Sequence, residues 1–375
     1  MKTISSKLVF SLSILVFFTS CSQRPKSAVD TPEYHFKAGM RAYENGNFDQ
    51  ALKSFQRSVD LSKKFALGYG GLGLVYAAQN NLRDAKINIG LCEQKANGDP
   101  DAYALAARCW IRLRDQEVRW FQLATHDLDR ALNKDPAHEA SLYYYGVANL
   151  YSYEFATAED YFRQVVDMKG DYAKKADEKW QMSQKIVRAM PGTDVGKKVA
   201  LQDQITRADL AVLFMEELKV AELFERQPTA APEFMTPTQM QAMKQTVSPV
   251  DVGGHWAEVW INDAIKYGVM DVYPDGLFYP DETVTRAGYA MAVQRLLVAA
   301  TGDHSLETRY IGESPSRFSD VQSTVPAYNA MALCAERGIM QADVVTGRFN
   351  PTGVVSGADA LLIIRTLQNS LRMTF

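Results

Sequence analysis

The segment Asp251–Leu297 reads DVGGHWAEVWINDAIKYGVMDVYPDGLFYPDETVTRAGYAMAVQRLL and contains two helical patterns separated by a loop. In the first pattern, Ala257–Tyr267, apolar residues recur at helical spacing, and Gly268 follows where a C-cap glycine is expected. The tripeptide Pro274-Asp275-Gly276 is a strong turn signal. Thr285 then occupies the N-cap position of the second pattern. The segment therefore predicts a helix–loop–helix unit.

Two further copies of this unit flank the segment, which we call copy two. Copy three, downstream, repeats the opening aspartate, the loop and the polar residue that starts the second helix, as Asp320, Gly347, Phe349, Pro351 and Ser356. Copy one, upstream, keeps Thr206-Arg207-Ala208-Asp209 at its second helix but lacks the Asp-Gly-x-Phe loop. Three related helical units therefore fill residues 171–375, with 227–249 as an inserted linker rich in Pro, Thr, Ala, Gln and Met.

The triplet resembles the S-layer homology (SLH) family over roughly Lys179 to Leu371. The residues that carry the resemblance in copy two are Asp251, His255, Trp256, Ala257, Gly268, Asp275, Gly276, Phe278, Pro280, Thr285, Arg286 and Ala287. The resemblance implies a three-armed helical module with pseudo-threefold symmetry, whose grooves hold anionic cell-wall glycans. It also implies that Asp275 and Gly276 belong to such a glycan site.

The start of the second helix in each copy has a structural and a functional interpretation. Thr206 and Asp209 form a capping box, which needs no ligand. Arg207 and Arg286 stand at the first helical position, where we expect free backbone N–H groups and the positive end of the helix dipole. Together with a guanidinium, these groups suit a carboxylate or a ketal-linked acid on a sugar. Gly357 replaces the third arginine, which predicts that one groove has lost this contact.

Trp256 also has two interpretations. It could stack on a sugar ring as part of the glycan site. It could instead anchor the first helix of copy two in the core, and the pattern favours this second position.

Residues 33–170 show a helical repeat. Ala51 and Ala85 are 34 residues apart, and so are Ala124 and Ala158, which is a helical-repeat period. The interval from Ala85 to Ala124 is 39 residues, which places about five extra residues in the turn at Arg114–Trp120. Small residues recur in each first helix and bulky ones in each second helix, namely Gly39, Gly73, Ala107 and Gly146, and Phe55, Ile89, Leu128 and Phe162.

This pattern resembles four tetratricopeptide (TPR) repeats, which implies a solenoid of helical hairpins with a concave partner-binding face. The family's concave positions fall on Phe36, Met40, Tyr43, Leu74, Arg108, Tyr143 and Val147. This set is mostly apolar, so a peptide or helix fits it better than a charged tail. The same residues could instead pack against the C-terminal half of the chain.

The N-terminus predicts a secretion signal at residues 1–20. Its apolar stretch, Leu8–Phe18, is too short to span a membrane. The residues before Cys21 resemble a bacterial lipobox, which implies acyl chains on Cys21, a tether over 21–32 and membrane attachment without a spanning helix. Ser22 favours the outer membrane by family analogy. The alternative is an ordinary cleaved signal followed by an incidental cysteine.

Other classes of function find little support in the sequence. A net charge of −3 argues against a nucleic-acid-binding protein. The segment Gly68–Gly73 matches GxGxxG, but no strand precedes it. The five histidines lack metal-ligand spacing, and no nucleophile or acid pair with catalytic spacing occurs. Cys92 and Cys109 could form a disulfide, although burial as small apolar residues is favoured.

The sequence thus predicts an all-α, non-enzymatic cell-envelope lipoprotein without a cofactor. It would tether or scaffold, with the SLH-like module on peptidoglycan or wall polysaccharide, the TPR solenoid on a protein partner, and lipid in the membrane. The alternative is an assembly factor for a secretion, pilus or polysaccharide machine, in which the SLH-like module is purely structural.

Overall fold

The computed structural model describes residues 27–225 and 248–372. Cys21, half of the tether and nearly all of the inserted linker lie outside the described residues. The described chain is helical, as the sequence predicts, and adds two isolated β-bridges. It divides into two compact units, Met1–Tyr144 and Tyr145–Phe375.

The first unit consists of helical hairpins. Its helices are α1 (Pro32–Glu44), α2 (Phe48–Leu61), α3 (Ala66–Ala78), α4 (Leu82–Lys95), α5 (Pro100–Arg112), α6 (Trp120–Leu132) and the start of α7 (Glu139–Tyr151). Asn47 and Asn81 cap α2 and α4, because their side-chain oxygens accept hydrogen bonds from backbone N–H groups at 3.1 and 3.3 Å. The extra residues of the third hairpin lie between α5 and α6, as the repeat spacing predicts.

Glycines in this unit make room for one aromatic ring. A Cβ added to Gly39 would lie 2.6 Å from Phe55, and one added to Gly71 only 2.3 Å from the same ring. Phe55 is fully buried, so it fills the space between α1, α2 and α3. The expected pairing of small and bulky positions is confirmed here, and Gly146 and Phe162 repeat it in the second unit with a 2.6 Å approach.

The first unit buries the thiols of Cys92 and Cys109 and the carboxyl group of Asp127. Cys92 and Cys109 are buried free thiols that donate to backbone carbonyls at 3.4 Å, which confirms the favoured structural role. Asp127 is 1% exposed; one carboxyl oxygen lies 3.2 Å from Arg130, and the other has no hydrogen-bond partner. Burial, with the nearby charge of Glu93, raises the pKa of Asp127 to about 8.

The second unit begins within α7 and contains all three copies. Its further helices are α8 (Phe155–Met168), α9 (Ala173–Ala189), α10 (Asp194–Ala200), α11 (Arg207–Val212), α12 (Val220–Glu225), α13 (Glu258–Lys266), α14 (Arg286–Thr301), α15 (Tyr328–Glu336) and α16 (Gly357–Arg372). A π-helical turn, Leu213–Glu217, extends α11, and a 3-10 turn, His304–Glu307, follows α14. Helix α10 stands where copies two and three have their Gly-x-Phe loop.

The three copies close into one ring through backbone hydrogen bonds. Val284 N–H donates to Ile205 O (2.9 Å), Val355 N–H to Val284 O (3.2 Å), and Ile205 N–H to Val355 O (2.9 Å). All three side chains are buried. Because each of these residues precedes the second helix of its copy, the ring gathers the three helix starts around one centre.

The aspartate that opens each of copies two and three holds the loop of its own copy. The Asp251 carboxylate accepts hydrogen bonds from the backbone N–H groups of Phe278 (3.0 Å) and Tyr279 (2.7 Å). Asp320 makes the same pair of bonds in copy three, at 2.8 and 2.9 Å. These bonds stabilise a turn in which Tyr279 has a φ of +54°. The opening aspartate is therefore a loop anchor.

Candidate functional site at the junctions between copies

At the first junction, Arg207 of copy one reaches over the loop of copy two. Its Nε donates to Phe278 O (2.8 Å) and its Nη2 to Asp271 O (2.7 Å). The guanidinium carbon lies 4.6 Å from the ring centre of Phe278 and 4.7 Å from that of Tyr273. Burial lowers the pKa of Arg207. Nε and Nη2 of Arg207 thus hold the loop of copy two, and within the described part of the chain Nη1 has no hydrogen-bond acceptor.

Arg286 makes the same arrangement at the second junction. Its Nε donates to Phe349 O (2.7 Å) and its Nη2 to Gln341 O (2.8 Å), and it lies 4.7 Å from the centre of the Phe349 ring. Burial likewise lowers the pKa of Arg286. The first-position arginine therefore clamps the loop of the following copy.

The backbone N–H groups at these helix starts are occupied, so the expectation that they are free is wrong. Their acceptors are carbonyls of the following copy, as Arg207 to Glu282 (2.9 Å), Ala208 to Pro280 (2.9 Å), Arg286 to Gly353 (2.8 Å) and Ala287 to Pro351 (2.9 Å). The physical reason is ring closure, since the chain of each next copy runs past the helix start and satisfies its donors. An anion cannot use these N–H groups without breaking the ring.

The third junction has no room for an arginine. A Cβ added to Gly357 would lie 1.6 Å from Val199 O, and Gly357 N–H donates to Gln202 O (2.9 Å). A cavity of about 330 Å³ nearby is lined by α9, by Gln202 and Asp203 and by the start of α16. Beside this cavity, Nζ of Lys185 on α9 lies 2.7 Å from Oδ1 of Asp359. Glycine at position 357 thus has a steric reason, because the backbone of copy one fills the space.

A groove of about 240 Å³ lies at the first junction. It is lined by Arg207, Val269, Met270, Asp271, Val272, Tyr273, Pro274, Gly288, Met291, Ala292 and Arg295. Arg295 forms an ion pair with Asp271, and both side chains are about half exposed. Sequence reasoning missed both residues. A signal for Arg295 was present in the sequence. Gly288, Met291, Ala292 and Arg295 follow the i, i+3, i+4, i+7 spacing that places residues on one helix face.

Trp256 is 55% exposed, so the favoured core position for this residue is wrong. Helix α13 begins only at Glu258, and the buried Ala257 and Ile261 take the core positions. The ring of Trp256 instead contacts His255 and Trp260, with centres 5.7 and 6.1 Å away. Among the described contacts, none joins Trp256 to either junction arginine.

Asp275 and Gly276 lie in the turn of the copy-two loop. Asp275 accepts hydrogen bonds from Leu277 N–H (3.0 Å) and from the Tyr279 hydroxyl (2.6 Å). Gly276 has a φ of +81°, which favours glycine. Neither residue is among those that line the first-junction groove. The contacts of both residues are those of a turn.

The proposed concave residues of the first unit differ in their access. Leu74 is 1% exposed and belongs to the core, so its expected contact with a partner is wrong. Phe36, Met40 and Tyr43 are partly buried and pack against the buried cluster that contains Phe55.

Arg108 is held by its own unit. It donates to Glu44 at 2.7 Å and lies 5.3 and 5.8 Å from the ring centres of Tyr43 and Tyr144. Its charge is therefore matched internally. Tyr143 in the first unit and Val147 in the second are each half-buried.

Across residues 27–225 and 248–372, we find no cluster of side chains that could hold a metal ion. Within the same ranges, no helix is both long and apolar enough to cross a membrane.

The family model of the S-layer homology domain matches residues 250–290 and 317–361. Cell surface glycoprotein 1 of Acetivibrio thermocellus is 32% identical over 98 residues, which are 26% of this chain and 4% of that protein. The chain thus spans only a small part of that relative's length. Copies two and three carry the S-layer homology domain.

Proposed function

We propose that this protein is a non-enzymatic tether or scaffold of the cell envelope. Its ring of three copies binds peptidoglycan or a wall-associated polysaccharide, and its helical hairpins, interpreted as TPR repeats, bind a protein partner. Acyl chains on Cys21, outside the described residues, would hold it in a membrane, with the outer membrane favoured. A membrane-held module meets the wall at high effective concentration, so one weak groove is enough for attachment.

The first-junction groove supports the wall-binding part of this proposal most strongly. Most of its lining residues belong to copy two, which matches the S-layer homology domain, and it joins two arginines, a carboxylate and apolar side chains in one concave site. A few polar groups in an otherwise apolar concavity are typical of small-ligand sites.

The test is co-sedimentation of the protein from Ser22 onward with purified sacculi that retain their polysaccharide. Arg295→Ala is the informative variant, because Arg295 lines the groove and is half exposed. Arg286→Ala is unsuitable, since it releases the loop of copy three. We expect Arg295→Ala to weaken binding about tenfold, because it leaves the Asp271 carboxylate of the groove without its charged partner.

Arg309→Ala is the matched control, because Arg309 is also half exposed, pairs with Glu336 at 3.8 Å and lies outside the groove. It should sediment like the wild type. A wild-type protein that stays in the supernatant would refute wall binding. Equal sedimentation of both variants and wild type would keep wall binding and reject this groove.

The protein-partner proposal rests on the half-buried aromatic and apolar residues of the first unit. Since Arg108 is paired with Glu44, we expect an apolar segment as the ligand rather than an acidic one. A photoreactive amino acid at Met40 should crosslink to the partner in envelope fractions. The same group at the more exposed Tyr34 is the control, and equal crosslinking from both positions would argue against this face.

One observation favours the alternative of an assembly factor with a purely structural module. Arg207 and Arg286 each donate two side-chain hydrogen bonds to loops of the ring, and a glycine stands in place of the arginine at the third junction. Under this alternative, the wild type does not sediment with sacculi and instead binds a purified component of a secretion, pilus or polysaccharide machine.

A further inference from the structure

The first-junction groove is balanced in charge. Arg295 pairs with the Asp271 carboxylate, and Arg207 Nε lies 3.9 Å from the Glu282 carboxylate. Glu282 also accepts a hydrogen bond from the Tyr273 hydroxyl at 2.7 Å, which fixes that carboxylate beside the groove. Two guanidinium groups are thus matched by two carboxylates. An incoming acid would have to displace Asp271 from Arg295 and would then face two like charges.

Polar atoms in the groove remain available to a neutral ligand. Asp271 Oδ1 and Arg207 Nη1 have no partner in the described contacts, and they offer one acceptor and one donor. A sugar hydroxyl both donates and accepts, so neighbouring hydroxyls can bridge these two groups without disturbing the ion pair. Met291 and Val272, which are 49% and 39% exposed, provide apolar surface for the C–H groups of a sugar ring.

The Asp271–Arg295 pair is not needed to build the loop. Copy three holds its corresponding loop with Gln341 and Thr366 at the equivalent positions. In both copies the junction arginine binds the backbone carbonyl at this position, so the Asp271 side chain does not hold Arg207. The pair is therefore free to serve a ligand.

We infer that the first-junction groove binds a neutral sugar of the wall polymer through its hydroxyl groups, and not an acidic substituent. This inference rests on the proposed wall-binding function. The cavity of about 240 Å³ lies below the range of about 300–1,000 Å³ usual for larger ligands, so it suits one ring of the polymer.

The test compares sacculi that retain their polysaccharide, before and after mild acid treatment that removes acidic substituents. Wild-type binding should change by less than about twofold on this treatment and should depend little on salt. Asp271→Ala should bind about tenfold more weakly to both preparations, because a charged acceptor is lost. Asp281→Ala is the matched control in the same loop, since that side chain is 89% exposed and lies outside the groove.

A gain in binding by Asp271→Ala, in place of the expected loss, would overturn the inference. If Asp271 only blocks an acid site, Asp271→Ala frees Arg295 and binds untreated sacculi more tightly. Loss of wild-type binding after acid treatment would overturn it equally, while leaving wall binding intact. Absence of wild-type binding to either preparation would refute the proposed function and this inference with it. Should Asp271→Ala melt early in circular dichroism, Asp271→Gln, which introduces the residue found in copy three, should also weaken binding to both preparations, and tighter binding of this variant to untreated sacculi would overturn the inference.

Discussion

Gly357→Ala is the sharpest test of ring closure. The added Cβ would lie 1.6 Å from Val199 O and 2.6 Å from the carbonyl carbon of the same residue. Both atoms belong to the backbone, so no rotamer change relieves the clash, and α16 must move away from copy one. Overpacking of this kind costs about 1–3 kcal/mol. Loss of the hydrogen bond from Gly357 N–H to Gln202 O, 2.9 Å long, adds about 1–3 kcal/mol.

Alanine also gains about 0.5–1 kcal/mol over glycine inside a helix, which offsets part of this cost. We therefore expect a net loss of about 1–5 kcal/mol in the free energy of unfolding of the second unit. The assay is urea unfolding followed by far-UV circular dichroism. Hydrogen exchange should show faster exchange in α10 and at the start of α16.

Gly288→Ala is the matched control, because Gly288 lies near the start of α14 and its added Cβ would be 3.4 Å from Thr285 Oγ1, an ordinary contact. It should leave stability unchanged or raise it by up to about 1 kcal/mol. If Gly357→Ala is as stable as Gly288→Ala, the backbone of copy one leaves room for a side chain at position 357. The steric reason for the missing arginine is then refuted.

Three further predictions concern other contacts. Arg286→Lys should lower the free energy of unfolding by about 1–2 kcal/mol, because one ammonium cannot hold two carbonyls as the guanidinium does, and an unchanged urea midpoint would contradict this. Because the folded-state pKa of Asp127, about 8, exceeds its ordinary value of 3.8, the stability of the first unit should fall as pH rises between these values. Asp127→Asn should flatten that slope in urea titrations across the range, whereas a slope equal to wild type would reject the buried proton. Gly39→Ala should cost about 1–3 kcal/mol through its clash with Phe55, and combining it with Phe55→Leu should cost less than the sum of the single changes.

The starts and ends of several helices could be predicted from sequence because their signals are local. Thr206 and Thr285 cap α11 and α14 as expected, and Gly268 ends its helix with a φ of +67°. The pairing of Gly39 with Phe55 also followed from the repeat, because one helical hairpin supplies both residues. Capping and hairpin packing depend on neighbours in the chain, which a sequence pattern records directly.

The candidate site was less predictable. Trp256 was expected in the core and is exposed, because Ala257 and Ile261 take the core positions at the start of α13. Asp271 and Arg295 meet across 24 positions of the chain, and neither belongs to a motif that marks ligand sites. The N–H groups expected to be free are taken by carbonyls of the next copy.

The sequence by itself determined the helical class and the residue types at each helix start. Only the tertiary structure decided that Arg207 and Arg286 clamp loops, that Gly357 is sterically required and that the first groove is neutral in charge. The physical reason is how far apart along the chain the interacting groups lie. Caps and turns are formed by groups a few residues apart, whereas the ring through Ile205, Val284 and Val355 satisfies donors with acceptors tens of residues away, and that closure determines which charged groups remain for a ligand.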